Sequence, residues 1–552
     1  MRSALQIISI FLTLSFIPIL SGCIYKEKNS GVPPNIYAPG ITDSFADKSP
    51  GDPLVPLEMK KDFSLLKAVQ YTLIMNPSIR ISKESLEAEK GNHQSAAGEF
   101  GWELSGNTRK WNEYIPMTDA EKKYYTARGY HGDDFYDYDK TSVSVGLNKK
   151  LRTGPIISQT ATIQRTENAY TDPERASRGQ VAFKVDIPLL KGRGAVSAAA
   201  GETSAGVLVD AATLEVVFQS AQSVKEVTSL YWSYLSSFKQ YELALESEKR
   251  ANKLLEDTRL TVEAEYRPKS VLNKLEANLE DKKARAIQKK YAVQNIKNSL
   301  ALAMGMEVSM FPSLSAPATP FPDISLSRIR ELVSNIGSAA GKALESRWDY
   351  LAQKKRTQAS LVQLEAARQD LMPRLNLGFT VGYRALNDQD EEKEILRGVY
   401  ENSTDLEWET RLAFTMDIGN DKAKGRVRRT LGIFKIETLK EETLANRIRS
   451  EVLLSLESLM SYEAELAASR EAVRLYEKAR EDEYAKLSLG YATLLDVMDT
   501  EDRLSQANER MVSAMAQLSQ AVANLKFSQG TLFVPKGNDL TVTYQSLSML
   551  GD

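Results

Sequence analysis

The chain has 552 residues, 42% of them hydrophobic, with one cysteine, two histidines and a formal net charge of −2. Near-neutral charge gives no clustered basic footprint for nucleic acid. A lone cysteine forbids an internal disulfide or a cysteine zinc site, and His93 and His131, far apart in sequence, do not make a histidine-rich metal site. Ordinary hydrophobic content excludes a bundle of membrane-crossing helices. It leaves open a transmembrane β-barrel, whose strands alternate apolar and polar residues and so average out.

Arg2 and the apolar run ALQIISIFLTLSFIPIL at 4–20 read as a signal peptide, residues 1–22, because the run is short for a spanning helix and holds Pro18. Leu-Ser-Gly-Cys at 20–23 resembles a bacterial lipobox. That resemblance implies cleavage before Cys23 and acylation there, and several acyl chains hold a membrane far better than one. Ile24, where an aspartate would signal retention at the inner membrane, implies sorting to the outer membrane. Residues 23–60, rich in Pro, Gly and Asp as in SGVPPNIYAPG, read as an extended tether.

The body of the chain reads as two structural repeats, 61–309 and 324–530, separated by the Pro-rich linker MFPSLSAPATPFPD at 310–323 and followed by a tail at 531–552. Each runs in the order helix, β-strands, long helix, break, helix. A helical stretch from Asn76 ends in the β-like WELSGN, as one from Arg347 ends in RLNLGF. FKVDIPLLKGRG from Phe183 and FTMDIGNDKAKG from Phe414 each turn from a strand into a very long helix. EYRPKSVLNKLEANL from Glu265 and KLSLGYATLLDVMDT from Lys486 each interrupt one.

The helices carry apolar seams at alternating spacings of three and four. In the first repeat the seam runs Val217, Ala221, Val224, Val227, Tyr231, Tyr234, Phe238, Tyr241, Leu245; in the second, Leu504, Ala507, Met511, Ala514, Leu518, Ala521, Leu525. That is coiled-coil packing. A continuous helix from 420 to 489 would span roughly 100 Å at 1.5 Å per residue, and such a rod must lie against neighbours. The strands alternate with period two: Leu375, Leu377, Phe379, Val381 and Tyr383 share one face, and Trp408, Leu412, Phe414, Met416 and Ile418 share another. About ten residues with one apolar face is the length of a membrane-spanning strand. The first repeat also carries extra residues between its strands, including YYTARGYHGDDFYDYDK and LNKKLRTGPIISQTATIQRT. The tyrosines suit a membrane interface or an exposed loop, and 157–166 either adds strands or does not.

YAKLSLGYATLLDVMD, residues 484–499, is similar to the tip hairpin of TolC-type outer-membrane factors. AARQDLMPRLNLGF, with Pro373 at the junction, and VDIPLLKGRG resemble that family's helix-to-strand and strand-to-helix junctions. The lipobox matches its lipoprotein branch. The resemblance covers roughly Phe63 to Gly530. It implies a mainly α fold with β: a coiled-coil α-helical periplasmic barrel and a transmembrane β-barrel, shared by a homotrimer. The function it implies is the outer-membrane exit duct of a tripartite efflux pump or type I secretion system. The partners implied are a periplasmic adaptor (membrane fusion) protein, an inner-membrane pump of RND or ABC type, and outer-membrane lipid.

The same resemblance assigns the tip. Gly490, Tyr491 and Ala492, with Arg267 and Pro268 of the first repeat, form the adaptor-docking tip. Gly490 permits the reversal between helices where φ is positive. Asp496 and Asp499, one turn apart, form the periplasmic gate, facing the pore axis as rings of carboxylates that raise one another's pKa and attract cations. The plain alternative is that acids near a helix start interact well with its dipole. Arg267 stands where the first repeat's glycine is expected, Asn273 where an acid often sits, and Ala492 where some members carry a gate arginine.

No P-loop, G-x-S-x-G or H-E-x-x-H is present, and GRGAVSAAAG at 192–201 lacks the lysine and serine of a Walker motif. The sequence thus implies no enzyme activity, cofactor or metal. A periplasmic coiled-coil lipoprotein scaffold without a channel would share the lipobox and the heptads, but would not need the amphipathic strands.

Overall fold

The computed structural model describes residues 36–37, 63–129, 132, 134–167, 175–263, 269–324, 336–387, 406–536 and 539–548. Cys23, Arg267 and Pro268 lie outside them. In chain order the elements begin with β1 (Ile36–Tyr37), α1 (Leu65–Met75), α2 (Pro77–Gly98), β2 (Trp102–Pro116), α3 (Asp119–Ala127), β3 (Phe135–Lys150), β4 (Ile156–Glu167) and β5 (Arg175–Pro188). A single helical turn leads into α4 (Ala200–Glu263), α5 (Ser270–Met304), α6 (Ile336–Ser346) and α7 (Trp348–Gln369). Then follow β6 (Arg374–Asn387), β7 (Leu406–Thr415), α8 (Asp421–Ser488), α9 (Leu494–Ser528), β8 (Val534–Lys536), β9 (Asp539–Thr541) and α10 (Tyr544–Ser548). The described residues form two compact units, one within 90–208 and 357–437, the other within 36–89, 209–356 and 438–548.

In the first unit, six strands make one antiparallel sheet in the order β2-β3-β4-β5-β6-β7. The register aligns the alternation of every strand. One face carries the row Leu104, Leu147, Gln159, Phe183, Val381, Trp408 and the row Gly106, Val145, Ala161, Val181, Tyr383, Leu406. The opposite face carries Glu103, Asn148, Ser158, Lys184, Thr380 and Glu409. One face is therefore apolar and the other polar across all six strands. From Leu375 to Tyr383 the apolar band spans roughly 26 Å at about 3.3 Å per residue, close to the ~25 Å apolar band of outer-membrane barrels. Above it the same face turns polar at Lys110, Thr141, Arg165 and Ser177. The segment 157–166, open on sequence alone, lies within β4. The Tyr-rich stretch divides between α3, which starts on a capping box of Thr118 and Glu121, and β3. β7 ends at Thr415, so Met416 and Ile418, expected on its face, lie beyond the strand and are exposed.

The hairpin β3–β4 is fixed at its lower turn. Gly194 N–H donates to the Thr153 carbonyl at 2.9 Å, and Arg152 pairs with Glu202 at 2.6 Å. Gly154 has φ +109°, and a Cβ there would come within 2.4 Å of the Gly192 carbonyl oxygen. The residues at 192–201 thus form the strand-to-helix turn, not a phosphate loop.

In the second unit, the core gathers Leu65, Val69, Val224, Val227, Tyr231, Trp232, Leu300 and Met304 with the tail residues Leu532, Phe533, Leu540 and Leu547. The Pro-rich segment packs here: Thr319 N–H donates to the Tyr231 hydroxyl at 2.9 Å, Tyr234 donates to the Ser315 carbonyl at 3.0 Å, and Trp232 packs on Phe321. β1 pairs in parallel with β9, which holds the backbone of Ile36–Tyr37. The α4 seam is buried from Val217 to Tyr234, but Leu245 is exposed and Ala244, Ala251, Leu254 and Leu255 take its place. A repeat of 3.5 drifts around a straight helix of 3.6 residues per turn, which moves the seam.

Candidate functional site

The interruption between α8 and α9 falls where the sequence places it. Gly490 has φ +81°, and a Cβ there would meet nothing within 4 Å, so the backbone conformation alone requires glycine. Leu489 and Tyr491 beside it are exposed, and Ala492 is half-buried. Tyr491 is thus exposed at the turn between α8 and α9.

Thr493 caps α9. Its Oγ1 accepts from Asp496 N–H at 3.3 Å, while Asp496 Oδ2 accepts from Thr493 N–H at 2.8 Å and from its hydroxyl at 2.6 Å. This reciprocal box satisfies two helix-end donors. The Thr493 side-chain and backbone hydrogen bonds, with Lys486 adding charge, hold the Asp496 carboxyl below the usual aspartate range. Within one chain the shift is therefore opposite to the rise expected from a ring of carboxylates. Asp499, one turn on, accepts from Arg503 Nε at 2.7 Å, and both side chains are exposed.

The other face of α9 is buried. Leu494 and Val497 pack with Ala251, Leu254, Leu255, Leu275 and Leu279 of α4 and α5. Among these apolar contacts lies a row of charges. Arg250 on α4 donates to Glu501 on α9 at 2.9 Å, and Tyr484 on α8 donates to the same carboxylate at 3.4 Å. Burial first, and Glu501 second, push the Tyr484 hydroxyl pKa up. Lys282, a buried lysine on α5, pairs with Asp502. Lys289 pairs with Glu509 at 2.7 Å and donates to Gln240 at 2.8 Å. Three cations of α4 and α5 thus hold three carboxylates of α9. Sequence reading missed these residues, yet Glu501 carries a signal: Leu494, Val497, Glu501 and Leu504 continue the seam's spacing of three and four, with a charge at an apolar position.

In the sheet, the polar face bears several charge pairs. Lys140 pairs with Glu113, Lys184 with Asp186 at 2.6 Å, and Arg384 with Glu407 at 3.0 Å. The outer edges of β2 and β7 have no strand partner among the described residues. Among those residues, no helix is long and apolar enough to cross a membrane, and no group of three metal-ligating side chains occurs.

Solved structures share this fold. The chain is similar to the outer membrane protein VceC of Vibrio cholerae, with TM-score 0.59, 14% identity and coverage of 84% of this chain and 96% of that one. It is similar to the outer-membrane channel OprN, with TM-score 0.60, 14% identity and coverage of 91% and 98%. The outer membrane channel CmeC of Campylobacter jejuni gives TM-score 0.60, 10% identity and coverage of 86% and 87%. No sequence-family description and no curated protein matches. At these identities what is shared is the fold. The chain is helix-rich with one six-stranded antiparallel sheet, and its fold is that of these solved outer-membrane proteins.

Proposed function

We propose that the chain is the outer-membrane duct of an export system. Three copies close their sheets into one barrel across the outer membrane, and their long helices line a tunnel into the periplasm. Substrate passes passively, and an inner-membrane pump, joined through a periplasmic adaptor, drives a tripartite efflux or type I secretion system.

The two-faced sheet carries this reading. In a bilayer every backbone polar group needs a partner, so an open sheet with free edges at β2 and β7 is tenable there only when closed on itself. An apolar outside with a polar inside is the arrangement of an outer-membrane barrel. The rods support self-association too: Ile436, Leu439, Leu453, Leu454, Met460 and Leu475 of α8 are exposed apolar side chains that neighbouring copies would cover.

At the tip, Gly490, Tyr491 and Ala492 of the second repeat, with Arg267 and Pro268 of the first, dock the adaptor. Asp496 and Asp499 line the gate, and docking draws α9 away from the cations of α4 and α5. Acylated Cys23 anchors the chain to the inner leaflet of the outer membrane. Mass measurement of the extracted protein tests the proposal. A complex that needs detergent and has the mass of three chains supports it; a monomer released without detergent overturns it.

A further inference from the structure

We propose that each copy places all six strands in the lipid-spanning wall, so that three copies close an eighteen-stranded barrel, sealed at each seam by β2 of one copy against β7 of the next. The proposal rests on the channel reading and goes beyond it by fixing what each copy contributes and which edges meet.

The hairpin β3–β4 is the part whose place decides the strand number. It lies inside the sheet, with twelve residue pairs joining β4 to each neighbour. The apolar rows continue across it through Val143, Val145, Ile157 and Ile163, and Val143 and Ile163 are directly paired. Its lower turn is bound to Gly194 through Thr153 and to Glu202 at the start of α4 through Arg152. Removing the hairpin from the wall would expose those apolar side chains to water and leave β2 and β5 without the ladders they have.

The two open edges fit each other. Five successive antiparallel pairings make β7 antiparallel to β2, so the seam continues the same pattern; an odd number of strands per copy would force a parallel pair. Even-numbered residues of both strands lie on the apolar face. A slip of one residue would turn polar side chains to lipid, so even residues must meet even. The register with Leu104 beside Leu412 also sets Trp102 beside Phe414 on the apolar face. On the polar face it sets Arg109 against Glu407, Asn107 against Glu409 and Ser105 against Arg411. No like charges oppose one another, which a strand pair needs. Barrel diameter grows with strand number, and barrels of about 16 to 18 strands leave an aqueous channel. Closure of the duct then falls to the helical tip.

The test uses the full chain in outer-membrane vesicles, with Leu104→Cys and Leu412→Cys combined and a short bis-maleimide added. The double variant should give a covalent ladder ending at three chains, and neither single variant should. Val143→Cys and Ile163→Cys should react with a lipid-soluble maleimide and be shielded from a water-soluble one. A conducting, detergent-extracted oligomer that gives no ladder overturns the seam and leaves the channel reading standing. In such an oligomer, labelling of Ile163→Cys by the water-soluble reagent overturns the six-strand wall alone. A non-conducting monomer overturns both.

Discussion

Glu501 accepts a hydrogen bond from Arg250 at 2.9 Å while standing on the apolar seam of α9, its carboxylate only 10% exposed. A charge in that position ties one helix to another at a single place. Removing Glu501 leaves Arg250 only the longer contact to Glu246 of its own helix, at 3.7 Å. Glu501→Ala should therefore destabilise the protein by about 1.5–3 kcal/mol, the range for a hydrogen bond to a charged group. Thermal unfolding measures it. Arg250→Ala should add little in the Glu501→Ala background, since both remove the same contact; additive losses would contradict the pairing.

The cap of α9 predicts an acid response. The Thr493 hydrogen bonds hold the Asp496 carboxyl below its ordinary value, so the folded protein binds fewer protons there than the unfolded chain. The stability from this cap is complete above the ordinary aspartate range, about pH 4, and is lost as pH falls through the folded value. Channel openings in planar bilayers should rise in that acid window. Thr493→Ala should raise openings at neutral pH and abolish the acid step. An unchanged acid step in Thr493→Ala would contradict the assignment.

Asp499 and Arg503 form an exposed pair, and such pairs contribute little to stability. Asp499→Ala should leave the melting temperature unchanged but free the Arg503 cation near the proposed gate. Reversal potentials under a salt gradient should then shift toward anions. Asp496→Ala with Asp499→Ala should raise single-channel conductance. An unaltered reversal potential would place Asp499 away from the ion path.

The sheet predicts opposite outcomes for adjacent residues. Phe379 lies on the apolar face and Thr380 on the polar one. Phe379→Arg should cost about 2–4 kcal/mol, as for arginine near the membrane midplane, and deplete the assembled protein in the outer membrane. Thr380→Arg should assemble normally. Equal depletion by both would contradict the two-faced wall.

How much of this was legible varies by residue. The α9 seam from Leu504 to Leu525 and the alternation of β6 were plain, because burial on one side leaves a strict period. Gly490 was legible because the reversal needs a positive φ; the capping box of Thr493 and Asp496 was not read, although their spacing of three carries it. β4 was not, since Gln159 and Arg165 interrupt its apolar face and its place depends on Val143 and Val185 in the flanking strands. The Arg250, Lys282 and Lys289 contacts were hidden because their partners lie hundreds of residues away, and a charged helix face looks solvated until the neighbouring helix is known. The α4 seam was legible only to Tyr234, where it shifts around the helix.

The central claim, that these sheets close into a water-filled pipe across lipid, is tested most directly by ion current through a planar bilayer. The detergent-extracted protein should give discrete conductance steps, and Arg250→Ala with Lys282→Ala, which frees α9 from two of its cations, should enlarge them. A protein that leaves the bilayer silent in both forms, while folded and correctly assembled, would contradict it.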